Sequence, residues 1–160
     1  MSENYLVING KKMDLTEEQL KQLGIKVRKN PFERVNEGKK YWCIDESNDL
    51  CDYLEQNDLT DTTLYNIANY FNDDAFANQV ALHQLLYRKL LKFAYDNEFE
   101  GTNEPNQYYV NYCPRTGSYT VQLDCGFRAL CTHFSSYEAC ERAIKEVVKP
   151  FVAQYPEFKW

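Results

Sequence analysis

The chain has 160 residues, 44% of them apolar and 15% aromatic, with a net charge of −6. That composition belongs to a folded domain with its own core and excludes a disordered tail. No apolar run reaches the roughly 18 to 20 residues of a membrane span, and the start MSENYLVING lacks the basic-then-apolar order of a secretion signal, so a cytoplasmic protein without membrane contact is expected.

In chain order, YLVINGKKMDL reads as two short strands around Asn9-Gly10, the strongest two-residue hairpin signal. A helix follows. Thr16 and Gln19 have capping-box spacing, Leu15 and Leu20 that of a hydrophobic staple, and Gly24 supplies the left-handed stop. A basic connector with Pro31 and Gly38 then leads to the main body. Next, KKYWCID, DLCDYLE and LYNIANYF read as three strands, followed by a helix from about Asp73 to Tyr95. The pattern returns: QYYVNYC turns through PRTG into SYTVQLD, then FRALCTHF, then a helix from about Ser136. The fold class is therefore α+β, a small N-terminal β-hairpin plus helix followed by two tandem β-β-β-α units whose antiparallel sheets pack on helices. The boundaries are 1–30, 39–97 and 106–160, with 39–160 one cooperative domain.

The joint between third strand and helix is nearly the same phrase twice, FNDDAFANQVA from Phe71 and FSSYEACERAI from Phe134. Asn72 and Ser135 read as N-caps, Phe71 with Phe76 and Phe134 with Ala139 as staples, and Glu138 as a capping-box carboxylate. In the later helix Cys140, Ala143, Ile144, Val147 and Phe151 form one stripe, which Pro150 is expected to kink or end. In the earlier helix Ala77, Val80, Ala81, Tyr87 and Leu91 form one stripe, and Leu82, Leu85, Leu86, Leu90 and Phe93 another. A helix apolar on so many bearings lies between the two units or under a partner chain; the former needs no oligomer.

Charge is unevenly spread. Residues 1–40 carry +3, whereas residues 41–75 carry nine carboxylates and no Lys or Arg: Asp45, Glu46, Asp49, Asp52, Glu55, Asp58, Asp61, Asp73 and Asp74. Such a chain does not grip phosphate backbones, and its acidic segment attracts a basic partner. These carboxylates read as a partner-binding region over Asp45, Glu46, Asp49, Asp52, Glu55, Asp58 and Asp61, or as solvated loops that collect Asp and Asn. Calcium lacks the regular oxygen ligands of an EF-hand loop.

Catalysis finds little footing. Cys131 and His133 lie two apart on an expected strand, but no third orienting group is evident, and the repeat places Ala68 and Tyr70 at the same positions. His83 has no second ligand four residues away. Cys43, Cys51, Cys113, Cys125, Cys131 and Cys140 sit in apolar patterns and read as reduced, buried hydrophobes; the nearest spacing, Cys125 to Cys131, does not suit paired metal ligands. No metal, cofactor or enzymatic activity is expected.

The stretches NPFERVNEGKKYWCID, NYFNDDAFANQVALHQLLYRKLLKFAYDNE and AIKEVVKPFVAQYPEFKW, together with LTEEQLKQLG, resemble a family of small acidic phage and prophage proteins of Gram-positive bacteria. Small acidic phage proteins of this kind include inhibitors of bacterial immunity, among them anti-CRISPR proteins. The resemblance implies a non-enzymatic inhibitor that binds a host protein complex, such as a CRISPR effector or another nucleic-acid-binding defence protein, by nucleic-acid mimicry through the acidic region. The alternative is a small-ligand sponge that sequesters a nucleotide immune signal between the repeats.

Overall fold

The computed structural model describes residues 5–8, 11–24, 30–97, 99, 107–124 and 131–160. Strands β1 (Tyr5–Ile8) and β2 (Lys11–Asp14) pair antiparallel from Tyr5↔Asp14 to Ile8↔Lys11; their Asn9-Gly10 turn lies outside the described residues. Helix α1 (Glu17–Gln22) starts on the expected reciprocal cap, Gln19 N–H donating to Thr16 Oγ1 at 3.3 Å and Thr16 N–H to Gln19 Oε1 at 2.8 Å. Gly24 closes it at φ 70°. Within the connector, residues 25–29 lie outside the described set, while residues 30–38 fold back onto the body. Phe32 packs its ring against Phe71 and Phe76, and Asn72 N–H donates to Pro31 O.

In the first unit β3 (Lys40–Ile44) and β4 (Leu50–Leu54) pair antiparallel, with Cys43 opposite Cys51. The expected third strand over 64–71 is overturned: Leu59–Asn66 is helix α2. The sequence there has apolar residues suited to a strand, but Asp58 and Asp61 cap each other's backbone, and the hydroxyls of Thr62 and Thr63 bond back to Asp58 O and Leu59 O. Nucleated this way, the segment coils until Ala68, at φ 57°, turns it out. Only Phe71 rejoins the sheet, exchanging both backbone bonds with Trp42 at 2.8 and 2.9 Å. Asn69 extends the pairing with its side-chain amide, which accepts from Ile44 N–H and donates to Ile44 O, each at 2.8 Å.

In the second unit β5 (Gln107–Cys113) is central, with β6 (Ser118–Asp124) on one side and β7 (His133–Phe134) on the other. Gly117 makes the β5–β6 turn at φ 68°. Of the strand expected over 127–134, residues 127–130 lie outside the described set. The two units share a plan: the first hairpin strand is central, its hairpin partner flanks one side, and the residues entering the helix flank the other. Tyr70 and Phe71, like His133 and Phe134, are each 1% exposed.

Helix α3 (Asp74–Asp96) is capped by Asp73, and α4 (Tyr137–Ala143) by Ser136. Both caps stand one residue beyond the expected Asn72 and Ser135. Strand pairing holds Phe71 and Phe134, and the second of two cap-competent residues then meets the first turn. Asn72 instead donates its amide to Asn30 O and Glu33 O. Ala139, not Glu138, occupies the reciprocal position of the α4 cap, so the expected capping-box carboxylate is absent there. Nor does Pro150 end the helix. A π-helical stretch, Ile144–Val148, continues α4 directly into α5 (Lys149–Gln154), with Lys149 N–H reaching five residues back to Ile144 O. The slip by one residue buries Val148 completely where Val147 was expected.

As its two apolar bearings require, α3 lies between the units, touching β3 and β4 on one side and α4, the π stretch and β7 on the other. The carboxyl-terminal segment is tied to it by Gln79, which donates to Glu157 O and accepts from Lys159 N–H. Among the described residues no helix is long and apolar enough to cross a membrane.

Candidate partner-binding face

Beneath the acidic segment lies a buried polar network. Arg34 grips Glu55 with two bonds, Nη2 to Oε1 at 2.8 Å and Nε to Oε2 at 3.0 Å. Tyr70 donates its hydroxyl to Glu55 Oε2 at 2.7 Å, and Asn57 N–H donates to Oε1 at 2.9 Å. Tyr41, stacked on Tyr70 with ring centres 4.0 Å apart, donates to Asp61 Oδ1 at 2.7 Å. Asp61 Oδ2 also accepts from Gln56 and Asp58 N–H. Arg34 holds Glu55 below the usual carboxylate range, outweighing burial. Burial pushes Asp61 up, but Tyr41 and the two backbone donors prevail and bring it to about 2. Burial, and then the bond to a carboxylate, raises both tyrosine hydroxyls.

The seven candidate carboxylates consequently part company. Glu55 (1% exposed) and Asp61 (3%) are interior and leave the expected contact surface. Asp45 closes the β3–β4 loop by accepting from Ser47 and Asp49 N–H. Asp58 caps α2, and Asp52 pairs with Lys40 at 2.9 Å across two half-exposed side chains, a contact that water screens to little net value. Glu46 and Asp49 stand in solvent.

Among these charges and exposed polar side chains stand several exposed apolar ones. Asp61 is the buried residue of α2, whereas Leu59 is 81% and Ile67 64% exposed; with Thr63 they follow a four-residue spacing along the outer side. Tyr53, Leu54 and Tyr65 are also exposed. The helix is inverted in that its carboxylate Asp61 lies inside while Leu59 and the C-cap Ile67 stand in water, with Leu64 half-buried between them. Sequence reasoning points to Asp61 and misses Leu59, Ile67 and Arg34. The signal that could have found them is the Asp58 and Asp61 pair read as a helix cap, since it fixes which side of the helix Asp61 occupies.

The other candidates lie elsewhere in the fold. Cys131 precedes β7 and is half-buried, while His133 is buried against the Tyr109 ring. His83 is exposed, bonded through Nδ1 to Gln79 O at 2.7 Å and packed on Phe158. Cys43, Cys51, Cys113 and Cys140 are free thiols, and burial pushes Cys140 up to about 12; Cys125 lies outside the described residues. Among the described residues no three His, Cys, Asp or Glu side chains cluster as metal ligands. In comparisons with known proteins, no family model, curated protein or solved structure matches the chain.

The network predicts an acid signature. A carboxyl with a folded value of about 2 and an unfolded value of about 4 gives stability that is complete above the unfolded value and lost as pH falls through the folded one. Asp61→Asn should cost about 1–3 kcal/mol at neutral pH, and its difference from wild type should narrow below about pH 4. Urea unfolding across that range checks it; a constant difference contradicts it.

Proposed function

We propose that this chain is a non-enzymatic inhibitor that binds a host defence complex through the face made by α2, β4 and the β3–β4 loop. The observation that carries the binding mode is the inverted helix: Leu59 and Ile67 are turned to water over a fully bonded Asp61. Exposed aliphatic and aromatic side chains on neighbouring elements supply apolar area for a contact surface. The exposed carboxylates of these elements, Asp49, Asp52 and Asp58, favour a basic partner. The choice of a phage inhibitor and of a defence complex, CRISPR effectors included, rests on the resemblance of the chain to small acidic phage proteins. Contact in this reading is apolar at its centre and acidic at its edge, which differs from pure imitation of a phosphate backbone.

The test is retention of a CRISPR effector complex by the immobilised chain at low and high salt, with Leu59→Asp and Ile67→Asp variants. Each variant should weaken binding by about 2 kcal/mol or more, roughly 30-fold, while salt alone weakens it only partly. Binding that ignores both variants refutes the face. Binding abolished by salt and by competing nucleic acid, with the variants silent, favours phosphate mimicry.

A second reading, the nucleotide sponge, draws on a cavity of about 490 Å³ between α3, β5 and the carboxyl-terminal segment. Its described lining is largely apolar, with Leu86, Leu90, Val110, Phe158 and Trp160, and holds no Lys or Arg to meet a phosphate. Thermal stabilisation by a cyclic nucleotide would revive this reading.

A further inference from the structure

The second unit carries a different surface, independent of α2. Strand β6 is the outer strand of its sheet, seven residues from Ser118 to Asp124 without Pro, Lys or Arg, and among the described residues no strand pairs with its outer side. Natural edges are usually blunted by such residues, by bulges or by a cover. Beside it runs the helix formed by α4, the π stretch and α5, and between strand and helix lies a groove of about 580 Å³. Its inner surface is made by Tyr119, Val121 and Ile144, and its rim by Arg142, Lys145 and Lys149, with Glu141 as an opposing charge. Arg142 is shared with Glu146, while Lys145 and Lys149 are exposed.

We propose that this groove binds an extended acidic peptide, which adds a strand to the outer edge of β6. Backbone bonds to an edge give such a peptide its hold, and alternate side chains point to one face. Apolar residues at every second position would then lie over Tyr119 and Val121, and the acidic residues between them would be drawn by the field of the Lys145 and Lys149 rim. The same rim argues against a second copy of this chain. A two-fold pairing of β6 with itself aligns Val121 on Val121 but sets the two basic rims side by side, a like-charge approach that costs energy.

The probe is a blocked pentapeptide, N-acetyl-Glu-Val-Glu-Val-Glu-amide, titrated into the full ¹⁵N-labelled chain at low salt. Saturable amide shifts confined to β6, α4 and the π stretch are expected. The Lys-Val-Lys-Val-Lys counterpart should produce none, and Lys145→Glu with Lys149→Glu, both exposed positions, should weaken the acidic peptide by about tenfold or more while leaving the other amide positions unchanged. The proposal is overturned by the absence of saturable shifts, by equal responses to both peptides, by shifts centred elsewhere, by an unchanged affinity in the double variant, or by a free chain that sediments as a dimer with its β6 amides already protected.

Discussion

Arg34→Met should lower the urea midpoint at neutral pH further than any other single change in the buried polar network. The size follows from what is left behind. The Glu55 side chain is fully buried, and Arg34 supplies its countercharge through both carboxylate oxygens. Without Arg34 the carboxylate keeps only the Tyr70 hydroxyl and the Asn57 amide, and these cannot repay the loss of water around a full charge. Glu55→Gln is milder, about 1–2 kcal/mol, because a neutral amide still accepts a hydrogen bond and Arg34, 30% exposed, can turn to solvent. In the double variant the buried charge is gone, so the two losses do not add, and the cycle gives the coupling. Acid supplies an independent check. Arg34 is the chief cause of the lowered Glu55, so wild-type stability from this pair is complete above the unfolded carboxyl value of about 4.3 and declines as pH falls below it. The gap between wild type and Arg34→Met should therefore close in acid. A midpoint left where it is in wild type would mean that water reaches Glu55 in the folded chain.

What the sequence discloses about this protein depends on how far apart the interacting residues lie. The α1 cap, the PRTG turn, the long α3 and the hairpins declare themselves within a few residues, because capping, glycine geometry and apolar period are local. Helix α2 reads as strand because Leu64, Tyr65, Ile67, Tyr70 and Phe71 suit either state, and the deciding Asp58 and Asp61 also count as members of an acidic run. That Asp61 faces inward depends on Tyr41, twenty residues earlier, and that Glu55 does depends on Arg34 in the connector. Charge counting sees the nine carboxylates but not which of them a distant donor draws into the interior. The π stretch is hidden for a similar reason: the period permits Val147 or Val148 to face the sheet, and packing against α3 chooses Val148. The strand-to-helix joint is legible because its two copies carry the same buried aromatic, although the cap lies one residue further along.

The joint also makes the largest combined prediction. Phe71 and Phe134 are each 1% exposed. Phe71 is bridged to Trp42 and packs on Phe32 and Phe76; Phe134 pairs with Tyr108 and packs on Phe93 of α3. Truncation to alanine removes the ring and leaves a cavity that a sheet-to-helix joint cannot collapse into, for about 3–5 kcal/mol at each position. Among the described residues the two sites share no ring partner, so the losses should add to within about 0.5 kcal/mol. Their sum takes up most or all of the stability of a domain this size, and Phe71→Ala with Phe134→Ala should be unfolded without denaturant. The single variants decide whether the units are one cooperative body. Trp42 reports on the first sheet and Trp160, against Tyr112 and Tyr119, on the second; Trp42→Phe and Trp160→Phe backgrounds isolate each signal. Because α3 is core to both units, damage at either joint should move both reporters to the same urea midpoint. If Phe71→Ala moved the Trp42 transition and left that of Trp160 in place, α3 would be supporting two units that unfold separately.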